Sequence, residues 1–483
     1  MSSKKIFLHE KKTFDFYTER NFILNSKNKY DSLLNEYNSG TGIAAAVNNN
    51  IEMVLNGDGE FFPRLNKDIE YFSEQELLDL KNVNCFTSDI NEDDVANKLF
   101  KNIENIKYNH SIGYFSELYI GHVVEGNYRE NGSSGGFGTW IFKELFSNNL
   151  IDGVIHVKKV QNSELLFEYG ISNSIEEIKK GAKTKYYPVE YSKVLKLVKD
   201  NPGRYAIIGL PNYIMNLRLL AEQDEQIKRC IKFYIGLVCG HQKSAKFAEF
   251  IAWQCGINPG NLLDINFRKK LLDKPANSYG VEVTGLKNGK KVTIVKPMKE
   301  LIGSNWGQGF FKIRASDFSD DVMNETADLT LGDAWLPDYT IDSKGNNIIV
   351  VRNPELSQII HKAIENNKIC VDVATEEQII KSQESHFRHT RDELGYRLYK
   401  KKKRNEWYPK KRINPSNNLD FTRKRIQDIR EKMCIELPKH YKIAVEKNDL
   451  TYFERKSKHL IFCYQSMYRV MNLQKKIKKI NKR

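Results

Sequence analysis

The chain of 483 residues has no run of 18 or more apolar residues, which excludes an ordinary membrane-spanning helix. Its opening, "MSSKKIFLHEKKTFDF", holds no apolar core of the signal-peptide kind, so a cytoplasmic location is expected. Cysteine is sparse and scattered: 85, 230, 239, 255, 370, 434 and 463, with no two within three residues of each other. That spacing excludes a zinc knuckle or a locally coded iron–sulfur loop, and reduced, buried thiols are expected. No G-x-S-x-G elbow is present, so a hydrolase built on that motif is excluded. No internal repeat and no recognisable nucleic-acid module occurs, so no specific nucleic-acid partner is expected. Acidic residues are scarce at one end. Residues 391–483 hold 28 Lys and Arg against 10 Asp and Glu, whereas residues 1–390 carry a net charge of −3 within a total of +15. Such a basic C-terminal region suits an anionic surface (membrane lipid, nucleic acid or a polyanionic partner), or is simply a solvated helical face.

What is present reads as alternating strands and helices. "SEQELLDL" and "DINEDDVANKLFKNI" have polar starts and acidic first turns that suit helices. "LYIGHVV", "GVIHVKKV", "YAIIGLP" and "KFYIGLVCG" are strand-like, and "SNSIEEIKKGA", "SKVLKLVKD" and "LRLLAEQDEQIKR" are helical. "VEVTGLKNGKKVTIVKP" reads as a hairpin turning at Asn288-Gly289. "TADLTLGDAW" is a strand running into a turn, and "NNIIVVRNPELSQIIHKAIENN" is a strand followed by a helix. The expected fold is α/β (α+β): a central mixed sheet flanked by helices, followed by a basic, mainly helical region over 396–483.

Between the first of these strands and the next helix lies "ENGSSGGFGTWIFKELF", with Ser133, Ser134, Gly135 and Gly136 together. The apolar face of that helix carries Phe137, Trp140, Ile141 and Leu145. A small-residue loop at a helix start leaves backbone N–H groups for a phosphate, with the helix dipole behind them. The loop lacks the P-loop lysine and the G-x-G-x-x-G spacing, so an ordinary tight turn stays open as the alternative. Asp333, at the end of the "LGDAW" strand, is placed to orient a ligand or to make an Asx turn. His241 is a candidate proton donor or phosphate contact, and Arg129 and Arg268 are candidate contacts to an anion. Tyr186 either covers an aromatic ring or sits in the core.

Taken in order, "YRENGSSGGFGTWIFKELFSNNLIDGVIHV", "GAKTKYYPVEYSKVLKLVKD", "YAIIGLPNYIMNLRLL", "YIGLVCGHQKS", "INFRKK" and "ADLTLGDAWLPDY" resemble the beta-subunit family of coenzyme F-420 hydrogenases and dehydrogenases. "SQESHFRHTRDELGYRLYKKKK" resembles a branch of that family linked to bacterial surface-polysaccharide genes. The resemblance spans roughly residues 35–412. It implies FAD, with Ser133–Gly136 and Thr184-Lys185-Tyr186 at the cofactor. It also implies a ferredoxin-like lobe within residues 1–110, here degenerate, and a flavin-binding domain over 111–395.

The family pattern includes two cysteine sets for iron–sulfur clusters, and here they are almost gone. The first four places hold Asn38, Thr41, Ala44 and Asn48; the second hold Asn212, Cys239, Lys312 and Ala315, ahead of Asp317. One thiolate cannot hold a cubane cluster, so no iron–sulfur cluster is expected. Asn212 and Lys312 are expected to form hydrogen bonds there, Cys239 to be a buried thiol, and Asp317 to cap a helix. Asp333, His241 and Asn212 form the candidate catalytic set, with no metal site. The function implied is hydride transfer through the flavin, with NADH or NADPH as a diffusing donor, or a redox-neutral reaction. The substrate implied is a nucleotide-sugar or glycan intermediate. The alternative is a non-catalytic relative that acts as a scaffold at a membrane glycan-assembly complex. Location at the inner face of the membrane, through the basic tail, is a further expectation.

Overall fold

The computed structural model describes residues 36–160 and 163–480; the first 35 residues, on which the targeting expectation rests, lie outside them. Eight strands form one mixed sheet: β1 Glu117–Val123, β2 Gly153–Lys159, β3 Phe167–Ser172, β4 Tyr205–Gly209, β5 Ile231–Leu237, β6 Leu329–Asp333, β7 Asn347–Val351 and β8 Ile369–Val373. Their order is β8-β1-β7-β6-β5-β4-β2-β3. β6, β5, β4 and β2 run parallel, and the pairs on either side are antiparallel. Alternate residues serve opposite faces. Tyr119, Ile349 and Val351 join one apolar cluster, while Leu118, Ile120, Ile348 and Val350 join another. Burial of both faces explains why these strands read as unbroken apolar runs.

Helix α1, Phe137–Ser147, follows β1 and the glycine-rich loop. It buries Phe137, Trp140, Ile141 and Leu145, the face expected from its periodicity, in a cluster with Ile235, Leu331 and Ile349. A separate three-stranded sheet, Leu262–Lys269, Gly280–Lys287 and Lys290–Pro297, contains the expected hairpin. Asn288 and Gly289 take φ of 51° and 74°, the left-handed values that a two-residue turn of this twist demands.

Toward the N-terminus, a short helix Ile43–Val47 and a hairpin Ile51–Leu55/Phe61–Leu65 precede helices Glu74–Asn82 and Glu92–Phe100. Both helices begin in reciprocal capping boxes, Ser73 with Glu76 and Asn91 with Asp94. At the other end α2, Phe421–Glu446, and α3, Leu450–Ile480, pack on each other. Met433, Leu437 and Tyr441 of α2 and Phe453, Leu460 and Tyr464 of α3 join the same core as Phe250, Phe310 and Phe311.

One helix differs from the sequence expectation. "LRLLAEQDEQIKR" is two helices, Pro211–Ala221 and Glu225–Cys230. Asp224 caps the second by accepting from the N–H groups of Gln226 and Ile227, which restarts the chain in a new direction.

Candidate functional site

The parallel order brings the carboxyl ends of β4, β5 and β6 side by side, where open α/β sheets bind ligands. A cavity of about 560 Å³ lies there, in the size range of cofactor and substrate pockets. Gly209, the segment 237–243 and Asp333 line its floor; the glycine-rich loop, residues 181–187, Arg268, Tyr279 and Trp306 complete the wall.

At one end Ser133, Ser134, Gly136, Gly138 and Thr139 face this space. Among the described residues their backbone N–H groups meet no protein acceptor, so the first turn of α1 has donors left for a ligand. Gly136 holds φ of 92°, and a Cβ there would lie 2.7 Å from the Arg129 nitrogen; no other residue keeps this path. Ser133 Oγ accepts from the Thr184 N–H at 2.9 Å, tying the loop to the segment 181–187. Ser134 Oγ donates to the Asn346 carbonyl at 2.9 Å.

Two lysines, Lys183 and Lys270, contact the same loop, and a third, Lys185, lies in the neighbouring segment 181–187. Lys183, held at φ of 82°, reaches the Gly132 carbonyl at 3.4 Å, and Lys270 donates to the Ser134 carbonyl at 2.9 Å. Lys185 donates to the carbonyls of Gly181 and Ala182. Among the described residues none of the three pairs with a carboxylate. Burial first, and then neighbouring cations, pulls Lys185 and Lys270 down to about 7 and lowers Lys183 too. Lys183 and Lys185 in the cavity wall and Lys270 behind the loop, none in a salt bridge among the described residues, suit an anion such as a diphosphate.

Deeper in, Arg268 is 4% exposed and donates to Asp333 at 2.6 Å. Its guanidinium lies 5.0 Å from the Tyr279 ring centroid and 5.3 Å from that of Trp335, and its Nε has no partner. Burial is the largest single influence and opposes its charge, but Asp333 together with Tyr186 and Tyr279 more than offsets it, and its pKa is raised. The Asp333 side chain thus answers Arg268 rather than making an Asx turn. His241, with its Nε2 unpartnered, lies 4.9 Å from the Trp306 ring. Burial, with Lys243 and Lys312 adding repulsion, keeps it neutral. Tyr186 lines the cavity edge-on to Phe267 and Trp306.

Three expected residues face elsewhere. Arg129 is turned away from the loop to pair with Asp342 and to donate to the Gly345 carbonyl at 2.9 Å, so it does not line the cavity. Asn212 donates to Gln242 at 3.3 Å outside the lining, which leaves Asp333 and His241 of the catalytic set. Gly135 serves close packing: a Cβ there would lie 2.7 Å from Asn347 Oδ1 and from the Gly121 carbonyl.

Sequence reasoning missed His386, Lys183 and Lys270. His386 Nδ1 lies 3.1 Å from Gln383 Oε1. Because the Gln383 amide donates to the Asp333 carbonyl at 2.7 Å, its oxygen must accept from His386. That fixes the proton on Nδ1 and leaves the Nε2 lone pair free. Burial lowers His386 to about 4. Nothing local distinguishes it from its neighbours in "SQESHFRHTRDE"; only the fold carries it to the cavity wall.

Two family models match the chain. One, "Coenzyme F420 hydrogenase/dehydrogenase, beta subunit N-term", covers residues 118–196, and its C-terminal counterpart for the same hydrogenase/dehydrogenase beta subunit covers 203–377. Together they span more than half of the sequence. The chain belongs to the coenzyme F420 hydrogenase/dehydrogenase beta-subunit family. A solved structure described as the F420-reducing [NiFe] hydrogenase complex from Methanosarcina barkeri is similar at 13% identity, with a TM-score of 0.47 over 62% of this chain and 98% of that chain. No curated protein matches the sequence. Membership in a family of hydrogenases and dehydrogenases places the protein among oxidoreductase-related chains, and no helix among the described residues is long and apolar enough to cross a membrane.

At positions that the sequence resemblance matched to cluster cysteines, Asn38, Thr41 and Asn48 carry side-chain hydrogen bonds. Asn38 donates to the Phe61 carbonyl at 2.6 Å, Thr41 accepts from Asn216 at 3.2 Å, and Asn48 donates to Glu76 at 3.1 Å. Lys312, with a fully buried side chain, pairs with Asp317, which also lies 3.4 Å from His389. Asp317 is therefore an ion-pair partner inside the short helix Arg314–Phe318, not a cap. Cys239 is half-buried and lines the cavity rather than being enclosed as expected, and desolvation pushes its thiol up to about 11, which keeps it protonated. Among the described residues no group of three or more His, Cys, Asp or Glu converges in a way that could hold a metal.

Proposed function

We propose that the cavity holds FAD and that the protein is a flavin-dependent oxidoreductase acting on a nucleotide-sugar or glycan intermediate of surface-polysaccharide synthesis. The observation that carries this reading is a loop with free N–H groups beside Lys183 and Lys185 of the cavity wall and Lys270 behind the loop, none of them in a salt bridge among the described residues. The residues present fit the cofactor. Ser133–Gly136 and the lysines would hold the diphosphate, and Tyr186, Trp306 and Trp335 offer aromatic walls to a planar ring. Bound FAD supplies hydride transfer.

This chain's own residues supply binding and proton handling. Arg268 and Asp333 fix a charged pair at the strand ends, rigid between two aromatic rings. Neutral His386 presents a lone pair that can take a proton from a substrate hydroxyl, and neutral His241 offers a second imidazole in the same wall. The polysaccharide assignment rests on the resemblance of residues 382–403, the segment that carries His386 into the cavity. Seven of the eight cluster positions lack thiols, so the reading needs direct hydride exchange with NADH, NADPH or the substrate rather than one-electron hops.

The test is to denature the purified protein, identify the released small molecules by mass, and assay reduction of the reconstituted protein by NADH, NADPH and sugar nucleotides. Release of FAD and turnover with one of these supports the proposal. A colourless protein that does not take up added FAD overturns it.

A further inference from the structure

Helix α3 has two apolar faces. Phe453, Ser457, Leu460 and Tyr464 recur at helical spacing and are buried against the core. Roughly opposite them on the helical wheel stand Phe462, Val470, Leu473, Ile477 and Ile480. These are 61%, 40%, 59%, 56% and 70% exposed. The spacing 470, 473, 477, 480 makes one continuous stripe, and from Phe462 to Ile480 it runs ~27 Å along the helix.

Cations occupy the rest of the helix circumference, Arg469 and Lys476 beside the stripe and Lys479 and Lys475 farther round. Arg469, Lys475, Lys476 and Lys479 are exposed, and among the described residues none pairs with a carboxylate. From Arg455 to Arg483 the sequence contains no Asp or Glu. A second copy docked along the stripe would bring lysines against lysines with no acid on the helix from Arg455 onward to offset them. An anionic lipid surface satisfies both features at once, because its acyl boundary accepts the apolar side chains while its headgroups answer the lysines. The helix is not apolar enough to cross a bilayer, so it would lie in the interface plane.

We propose that the outer face of α3 is a membrane-docking surface for anionic phospholipid, seating Leu473, Ile477 and Ile480 at the acyl boundary and Lys475, Lys476 and Lys479 among the headgroups. This holds whether or not the cavity binds FAD.

The experiment is co-sedimentation of the full chain with phosphatidylcholine vesicles, with and without phosphatidylglycerol. The full chain should sediment only with the anionic vesicles, and less so as salt rises. Each lysine at such a surface is worth about fivefold in partitioning, so K475E/K476E/K479E should lower it at least about a hundredfold. Leu473→Asp with Ile477→Asp should abolish it while leaving the circular dichroism and melting temperature unchanged, since both side chains point away from the core. Equal sedimentation with both vesicle types, or none, overturns the proposal. So does a lipid-free dimer that the Leu473→Asp/Ile477→Asp variant converts to monomer, because the stripe would then be a self-association face.

Discussion

Raising the pH through neutrality should loosen the grip of the Ser133–Gly136 loop on a diphosphate, with a proton count that can be measured. Lys185 and Lys270 both titrate at about 7, chiefly because they are buried, with repulsion from Lys159 on the first and from Lys183 and Arg129 on the second. A diphosphate beside them favours their charged forms, so their pKa values in the complex lie above those in the free protein. The direction follows from linkage. Well below pH 7 both lysines are already charged, and binding moves no proton. As pH rises through about 7 the free protein loses protons that the complex keeps, so binding must take them back and affinity falls. Each lysine contributes at most ~10-fold per pH unit, so the pair gives up to ~100-fold per unit on the alkaline side. Near pH 7, with both half-charged, about one proton in total should be taken up per FAD bound. Calorimetric titration of FAD into the flavin-free protein, in buffers of differing ionisation enthalpy, reads that number directly. Lys185→Met should halve it and flatten the pH profile. FAD binding with no proton uptake slightly above neutrality, or a Lys185→Met variant with the full count, would refute the assignment of these lysines to the diphosphate.

Other expectations test separate parts of the site. Asp333→Asn leaves the buried Arg268 guanidinium without its counter-charge and should cost about 3 kcal/mol in urea unfolding; adding Arg268→Met should recover part of it. Gly136→Ala forces a Cβ to 2.7 Å from backbone at φ of 92° and should cost about 2 kcal/mol, more than Gly289→Ala, whose Cβ would meet nothing within 4 Å. His386→Gln should slow turnover roughly 100-fold while the protein keeps its flavin and its melting temperature; an unchanged rate removes His386 from the chemistry. Without ligand, the lysine pair should make the protein gain stability from about pH 7 toward 10.5, because the unfolded chain holds the extra protons there; a Lys185→Met/Lys270→Met variant should lose that rise.

Local patterns in the sequence carried the features set by neighbouring residues. The loop before α1, the apolar face at 137, 140, 141 and 145, and the Asn288-Gly289 turn all depend on contacts or dihedral angles within a few residues. The break at Glu222 was hidden because the apolar periodicity continues across it, and only the Asp224 cap marks the restart. Arg129 was close to the loop in sequence, but its guanidinium finds Asp342 and the Gly345 carbonyl across the fold, a partner set that no local window contains. Lys270 and His386 were invisible for the converse reason. His386 reaches the cavity wall and Lys270 the carbonyl side of the loop, each from a distant segment, and neither residue type nor spacing marks it beforehand.

Lys312, at a position that the sequence resemblance matched to a cluster cysteine, shows how a buried charge is accommodated here. A lysine in a closed interior is a stranded charge unless a carboxylate and further donors accompany it, because desolvation of a lone ion outweighs what the fold can offset. Lys312 meets this demand through Asp317, whose carbonyl accepts from Arg397 at 2.7 Å and whose carboxylate has His389 3.4 Å away without a hydrogen bond. His389 and Arg397 both come from the same C-terminal segment as His386, beyond the stretch matched by the family models. The segment that completes the ion network therefore also supplies an imidazole to the cavity. The two roles are linked through the segment's backbone: Arg397 donates to the His389 carbonyl at 2.6 Å, and Thr390 Oγ donates to the His386 carbonyl at 3.1 Å. Substitutions that loosen the Lys312–Asp317–Arg397 network should therefore disturb the position of His386 even though none of those three side chains lines the cavity.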